Sequence, residues 1–372
     1  MKRNIKYLGL VTFAVVLIFQ SCKKETNEII LNENNLNEPA ENIISDESQS
    51  TSHRLGIRLY NFPGGAVTYS ASFTIDSKIY AVGYKDFSGS KDLWIWDYSK
   101  VENDSDMGQN NWSKLTDFPG SSPQGISLGF SVNGKGYVLP NAFIQNENLV
   151  QEFWEFDPET NAWTKKSNPP ATLIRSSACG FSIGTKLYIG TGEIYEPVWT
   201  LYKDFWEWEQ TTDTWTKKAD FPGEPRAHAS GFSIGDKGYM GLGGVVGMGG
   251  GPVYQDFWEY DPATDKWIRK ADFPGSQQIG AVAFSAGNKG YVTAGWDIYA
   301  ESTSYQDIWE WNQTENSWTM VGYFTGTPRT GAVGGSIGNW GYVIGGQNIS
   351  TGYNWDTESV LNDFWLIDFT SN

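Results

Sequence analysis

QDFWEYDPATDKWIRKADFPG, Gln255 to Gly275, decides the reading of this chain. It sets two tryptophans, Trp258 and Trp267, on either side of a DPATD turn. The pattern returns as EFWEFDPETNAW (Glu152–Trp163), DFWEWEQTTDTW (Asp204–Trp215) and DIWEWNQTENSW (Asp307–Trp318). DLWIWD (Asp92–Asp97) is a divergent first copy and DFWLID (Asp363–Asp368) a truncated last one. The leading tryptophans, Trp94, Trp154, Trp206, Trp258, Trp309 and Trp365, are 60, 52, 52, 51 and 56 residues apart. Self-similarity at a period near fifty marks one supersecondary unit repeated, with each copy burying its neighbour.

Within the fourth copy, PRAHASGFSIGD (Pro225–Asp236) reads as a strand ending in a Gly-Asp turn. KGYMGLGG (Lys237–Gly244) is a second strand, DFWEYD (Asp256–Asp261) a third, and KWIRKADFPG a fourth. Each alternates large apolar residues with small or polar ones, or is apolar throughout. After the first 22 residues nothing sustains a helical period. Four-stranded sheets of this kind cannot cover both faces alone; stacking around an axis covers them.

These residues resemble the Kelch family. The carriers are the pairs Gly243-Gly244 and Gly345-Gly346, the aromatic before the DP turn and the tryptophan after it. The pair departs from the pattern as Gly83-Tyr84, Pro140-Asn141 and Thr191-Gly192 in the first three copies. The resemblance covers roughly Leu55 to the end and implies an all-β, six-bladed propeller, with second strands starting near Lys78, Lys135, Lys186, Lys237, Lys289 and Trp340. The last copy lacks its fourth strand. GIRLYNFPGG (Gly56–Gly65) aligns on WTKKADFPGE (Trp215–Glu224), so the N-terminal segment is expected to supply it and close the ring.

Composition agrees. Aromatics are 15% of residues and charged residues 19%, with 42 glycines, as an all-β chain with many tight turns requires. Net charge is −16, or −19 once Lys2, Arg3 and Lys6 leave with a leader. Such a surface repels phosphate backbones, so nucleic acid is not an expected partner. A monomer is expected.

MKRNIKYLGLVTFAVVLIFQSC has a basic start and an apolar run from Leu8 to Phe19, too short to span a bilayer comfortably and right for a signal peptide. Ser21-Cys22, with Ile18 and Phe19 upstream, resembles the lipobox of bacterial lipoproteins, in which cysteine is lipidated; Phe19 and Gln20 are not the commonest choices there. The expected organisation is a signal peptide over 1–21, a flexible tether over 22–53 and a propeller over 54–372, held at the outer membrane on its periplasmic side or at the cell surface. The tether is Asn-, Glu- and Ser-rich and reaches roughly 30 Å as a coil. With Cys22 lipidated, Cys179 stands alone in an apolar strand and reads as a small core residue.

The resemblance places function on the face made by the loops after the second strands: Tyr84–Lys91, Asn141–Val150, Glu193–Lys203, Val245–Gln255, Trp296–Gln306 and Gln347–Asn362. Fourteen of the 18 tryptophans belong to the repeat; Trp199, Trp296, Trp340 and Trp355 do not, and all but Trp340 lie in these loops. Tyr195, Tyr202, Tyr299, Tyr305 and Tyr353 join them. Loop rings either stack on a sugar or partner, or pack the loops down. Aligning the starts of the first strands superposes Val67, Gln124, Arg175, Arg226, Gln278 and Arg329. Arg175, Arg226 and Arg329 are candidate ligand-binding forks for carboxylates or acidic sugars; alternatively they pair with acids such as Glu193, Asp297 or Asp356. His228, two residues past Arg226, is a candidate general base or a hydrogen-bonded strand residue.

The Kelch superfamily includes galactose oxidase-like copper enzymes, whose chemistry needs two histidines and a tyrosine crosslinked to cysteine. His228 is the sole histidine after the tether and Cys179 lies in a strand, so that chemistry is excluded. No cofactor or metal is expected; the acids of Glu102–Gly108 alternate before a glycine without meeting the EF-hand pattern, and read as a solvated loop. Two functions remain. One is a non-catalytic module recognising carbohydrate or protein through Arg175, Arg226, Arg329, Trp199, Trp296 and Trp355. The other, from resemblance to six-bladed sialic acid epimerases, is an isomerase using Glu193 or His228 to shuttle a proton.

Overall fold

A computed structural model describes residues 54–83, 91–101, 110–120, 127–145, 148–195, 198–245, 251–297, 303–348 and 359–369, all within the compact unit Pro39–Asn372. Cys22, the tether, Gln124, Trp355, Asp356 and the acidic stretch Glu102–Gly108 lie outside them.

The described strands form six blades around a central channel. In blade 4 the order from the axis outward is Ser230–Ile234, Lys237–Gly241, Phe257–Asp261, Lys266–Arg269, all antiparallel. The six second strands begin at Lys78, Lys135, Lys186, Lys237, Lys289 and Trp340. The only helical turns among the described residues are two 3-10 segments of three residues each, Tyr98–Lys100 and Ala171–Leu173. No helix is long and apolar enough to cross a membrane among the described residues.

The ring closes through the N-terminal segment. Ile57–Leu59 pairs antiparallel with Phe364–Asp368 as the fourth strand of blade 6. Just before it, Arg54–Leu55 runs parallel to Ser317–Phe324 and adds a fifth strand to blade 5. The clasp therefore grips two blades.

Each residue of the repeat motif has a physical task. Asp261 caps the DPATD turn by accepting from the Ala263 amide (3.0 Å), and Lys237 pairs with it at 3.2 Å. Asp265 takes a left-handed φ of 53°. Its carboxylate accepts from the Ala219 amide of the preceding blade at 3.0 Å and from its own Tyr260 hydroxyl at 2.7 Å. Trp267 then donates its indole N–H to the Ala219 carbonyl (3.0 Å). Trp215 to Ser167 (3.0 Å) and Trp318 to Ala271 (3.1 Å) repeat the bond. The recurring Asp/Asn-x-Trp is thus a stitch between neighbouring blades along their outer edge.

Near the axis a second lock recurs. The inner-strand phenylalanine of one blade lies on the glycine of the next blade's second strand: a Cβ on Gly238 would stand 2.0 Å from Phe181, and one on Gly136 2.1 Å from Phe73. At the seam between blades 6 and 1 the volumes are exchanged. Gly335 replaces the phenylalanine and Ile79 the glycine. The Tyr342 ring fills the space over Gly335, and its hydroxyl bonds Ser72 of blade 1 at 3.0 Å.

Candidate functional site

The channel is lined by the inner strands, whose alternate residues face it. One position is small in every blade: Ser72, Gly129, Gly180, Gly231, Ala283 and Gly334. Two residues on, each blade presents a hydroxyl: Thr74, Ser131, Ser182, Ser233, Ser285 and Ser336. Small side chains let the inner strands approach closely and leave a cavity of about 460 Å³. Cys179 faces the other way. It is buried against Gly231, and burial pushes its thiol up to about 12, as an inert core residue requires.

At the mouth, the segments after the second strands fold as short hairpins zipped to the starts of the inner strands. Ser176 bridges Glu193, Ala227 bridges Gly244, Ile279 bridges Trp296 and Thr330 bridges Gln347. The turn before each hairpin uses two left-handed residues: Thr191-Gly192, Leu242-Gly243, Ala294-Gly295 and Gly345-Gly346. In blade 4 the kinked pair is therefore Leu242-Gly243, one residue before the Gly243-Gly244 read from the sequence. Gly243 has φ 76°, and a Cβ there would meet the Ala227 carbonyl oxygen at 2.6 Å.

The arginines do not present open forks to the channel. Arg175, Arg226 and Arg329 are almost wholly buried, and each clamps the aspartate that opens its own blade's third strand. Arg226 holds Asp256 through two bonds of 2.5 and 3.0 Å, and Arg329 holds Asp363 at 2.5 and 2.7 Å. Arg175 holds Asp204 at 2.5 and 2.9 Å. Each guanidinium also donates to the carbonyl of the first left-handed residue: Thr191 (3.0 Å), Leu242 (3.1 Å) and Gly345 (2.7 Å). Trp206, Trp258 and Trp365 donate to the same carboxylates at 2.7, 2.8 and 2.7 Å. Tyr202 and Tyr254 cover the guanidiniums of Arg175 and Arg226 at 4.3 and 4.2 Å. The arginines thus follow the alternative in which they pair with acids, and the partners are Asp204, Asp256 and Asp363 in place of Glu193 or Asp297. Burial requires a charge to be paired and hydrogen-bonded, and the nearest carboxylate after folding belongs to the D-F-W motif. Burial raises the Asp204 carboxyl, but the Arg175 hydrogen bond and charge, with the Trp206 N–H, bring it below the usual carboxylate range.

The loop aromatics divide. Trp199 is 44% exposed at the end of the Glu193–Tyr195/Trp199–Leu201 hairpin. Trp296 is buried in a small cluster with Val253 and Ile279, so it packs its loop down and is no contact surface. Tyr305 donates to Asp297 at 3.0 Å.

Glu193 and His228, the candidate proton carriers, are brought together: His228 Nε2 stands 3.7 Å from Glu193 Oε1. The carboxylate is buried and accepts from the Ser177 hydroxyl at 3.4 Å. His228 Nδ1 is buried with no hydrogen-bond partner among the described residues. His228 lines the cavity and meets the ring of Tyr69 edge-on, centroids 6.1 Å apart. Tyr69 escaped sequence reading. Its signal was positional, since Tyr69, Ser177, His228, Gly280 and Gly331 occupy one place in their blades. Among the described residues no three His, Cys, Asp or Glu side chains are grouped to hold a metal ion.

No family model matches the chain. Among curated proteins, it is 34% identical over 135 residues to an N-acetylneuraminate epimerase of Pasteurella multocida, covering 35% of this chain and 33% of that one. It is 32% identical over 125 residues to that of Haemophilus influenzae, covering 32% and 31%. It is 26% identical over 207 residues to Kelch-like protein 23 of Pongo abelii, covering 54% and 35%. The aligned part spans about a third of the length of these relatives. The solved structure of YjhT superposes with a TM-score of 0.67 over 84% of this chain and 98% of its own, at 16% identity, which establishes the fold alone. The chain is a six-bladed β-propeller of Kelch-like build, similar in part of its sequence to N-acetylneuraminate epimerases and Kelch-like proteins.

Proposed function

We propose that the chain recognises a carbohydrate at the mouth of its central channel, as an exported, lipid-anchored binding module at the cell envelope. The observation that carries this is the Glu193–His228 pair, a buried acceptor and a donor-acceptor ring opening into a hydroxyl-lined cavity. Ligand sites are concave and combine such convergent polar groups with aromatic surface; the exposed indole of Trp199 stands on the Glu193 hairpin. A glycan array probed with the full chain tests the reading. Binding that is weakened by Glu193→Gln, His228→Asn or Trp199→Ala supports it; an array without signal overturns it. Cys22→Ala should release the chain from membranes into the soluble fraction, and unchanged membrane retention would remove the lipid anchor.

The names of the similar relatives favour a second reading, an isomerase that speeds anomer exchange of an acidic sugar. That chemistry moves a proton from the anomeric hydroxyl and delivers one to the ring oxygen, with nothing consumed. A carboxylate and an imidazole 3.7 Å apart suit such a relay. Because Arg175, Arg226 and Arg329 are engaged by aspartates, the sugar's carboxylate needs another partner. Exchange spectroscopy of N-acetylneuraminic acid anomers separates the readings: acceleration lost in Glu193→Gln supports catalysis, and an unchanged exchange rate supports binding alone.

A further inference from the structure

Tyr69 opens the inner strand of blade 1 with a φ of 53°, a left-handed conformation that is uncommon for so large a side chain. Backbone bonds to two neighbouring blades fix it there: its amide donates to the Gly331 carbonyl at 2.6 Å, and its carbonyl accepts from the Ser127 amide at 3.0 Å. The ring leaves its own blade. A Cβ built on Gly331 would stand 2.5, 2.6 and 2.7 Å from the Cζ, Cε1 and Cε2 of Tyr69, and one on Gly280 would stand 3.4 Å from its hydroxyl oxygen. Three ring carbons at nearly equal distance, with the hydroxyl oxygen farther off, mean contact through the face of the ring. Tyr69 therefore lies over the starts of blades 6 and 5, and reaches His228 of blade 4 with an interplanar angle of 63°. In a six-membered ring, blade 4 stands opposite blade 1, so the side chain crosses the mouth. Glycine at 280 and 331 leaves room for it.

We infer that Tyr69 is the stacking platform for a pyranose ring at the channel mouth, with His228 and Glu193 as the polar groups at its edge. The inference rests on the carbohydrate reading above. One face of the ring is taken by Gly331, and Tyr69 is half-buried among the residues that line the cavity. A flat aromatic face with a polar tip suits the C–H face of a sugar flanked by hydroxyls. A platform already pinned by its backbone loses little freedom on binding.

The test uses the full chain carrying His53→Gln, so that His228 is the single imidazole, since the chain has two histidines. The methyl pyranosides of glucose, galactose, mannose and N-acetylglucosamine, and N-acetylneuraminic acid, are titrated while the His228 ring signals are followed by NMR. At least one sugar should move those signals saturably. Tyr69→Ala should weaken that binding about tenfold, and Tyr69→Phe, which keeps the ring, should restore it. Tyr69→Leu fills the space without a ring; it should show the same loss and covers the case in which alanine unfolds the mouth. Without ligand, Tyr69→Ala should itself shift the His228 signals by removing the ring current. If a sugar binds Tyr69→Ala and Tyr69→Leu as tightly as the parent, the platform is overturned and the carbohydrate reading stands. If no sugar moves the His228 signals, both fall.

Discussion

Arg226→Ala separates a structural arginine from a ligand-binding one. It removes the cation from Asp256 and leaves Leu242 and Glu224 without the guanidinium donors at 3.1 and 2.9 Å. Arg226 is fully buried and the Asp256 side chain is 15% exposed, and breaking a buried pair from one side costs about 3–5 kcal/mol. Taking about 2.1 cal/mol/K of unfolding entropy per residue over roughly 320 residues, 1 kcal/mol moves Tm by about 1.5 °C. Differential scanning calorimetry should therefore show Arg226→Ala melting about 5–7 °C below the parent. The double variant Arg226→Met/Asp256→Leu replaces the pair by apolar side chains and should recover most of the loss, because no charge is left stranded. Sugar binding at the mouth, measured well below the melting range, should change little. A variant that melts within about 1 °C of the parent but loses the ligand would refute this reasoning and return Arg226 to the binding site.

Three further outcomes are expected. A chain starting at Ala66 lacks both clasp strands and the buried Leu59 and Phe62; it should lose roughly 5 kcal/mol and be cleaved by protease in blade 6, and undiminished thermal stability would contradict the closure. Asp307 holds the aspartate position of blade 5, where Gln278 stands in place of arginine, and burial raises its carboxyl despite the Trp309 hydrogen bond. A raised folded-state value means stability that is full below the ordinary 3.8 and is lost as pH rises through the folded value, so Asp307→Asn should raise Tm at pH 7 and not at pH 3. Asp204, held low, has the opposite sign: Asp204→Asn should cost more at pH 7 than at pH 3. In a Cys22→Ala background, Cys179 should resist a thiol reagent from pH 7 to 9 and react only in denaturant; fast native labelling would show that burial does not set its chemistry.

The repeat made most of the fold legible. Strand order, blade number and the N-terminal fourth strand of blade 6 follow from local alternation and from a missing piece, both visible in one dimension. The stitch made by Asp265 and Trp267 was visible as the recurring tryptophan after each turn, although its partner in the preceding blade was not. The parallel strand Arg54–Leu55 carries no repeat signal, because two residues are too few for a period.

The site divides differently. Glu193 and His228 could be named from residue type and position, but that they meet at 3.7 Å is a fact of how blade 3 packs on blade 4. The direction of the arginines was undecidable from sequence. A long side chain at the start of a strand can reach the channel or its own blade, and its partners lie 29, 30 and 34 residues away. The same holds for Trp296, folded under its hairpin, and Trp199, which stays partly exposed. By itself the sequence determined what alternation and period determine: which faces are buried and how many blades stack. Only the tertiary structure decided which polar group each blade's first residues would meet, because the packing of strands within a blade and of one blade on the next sets those distances, and burial then selects the partner that leaves no charge unpaired.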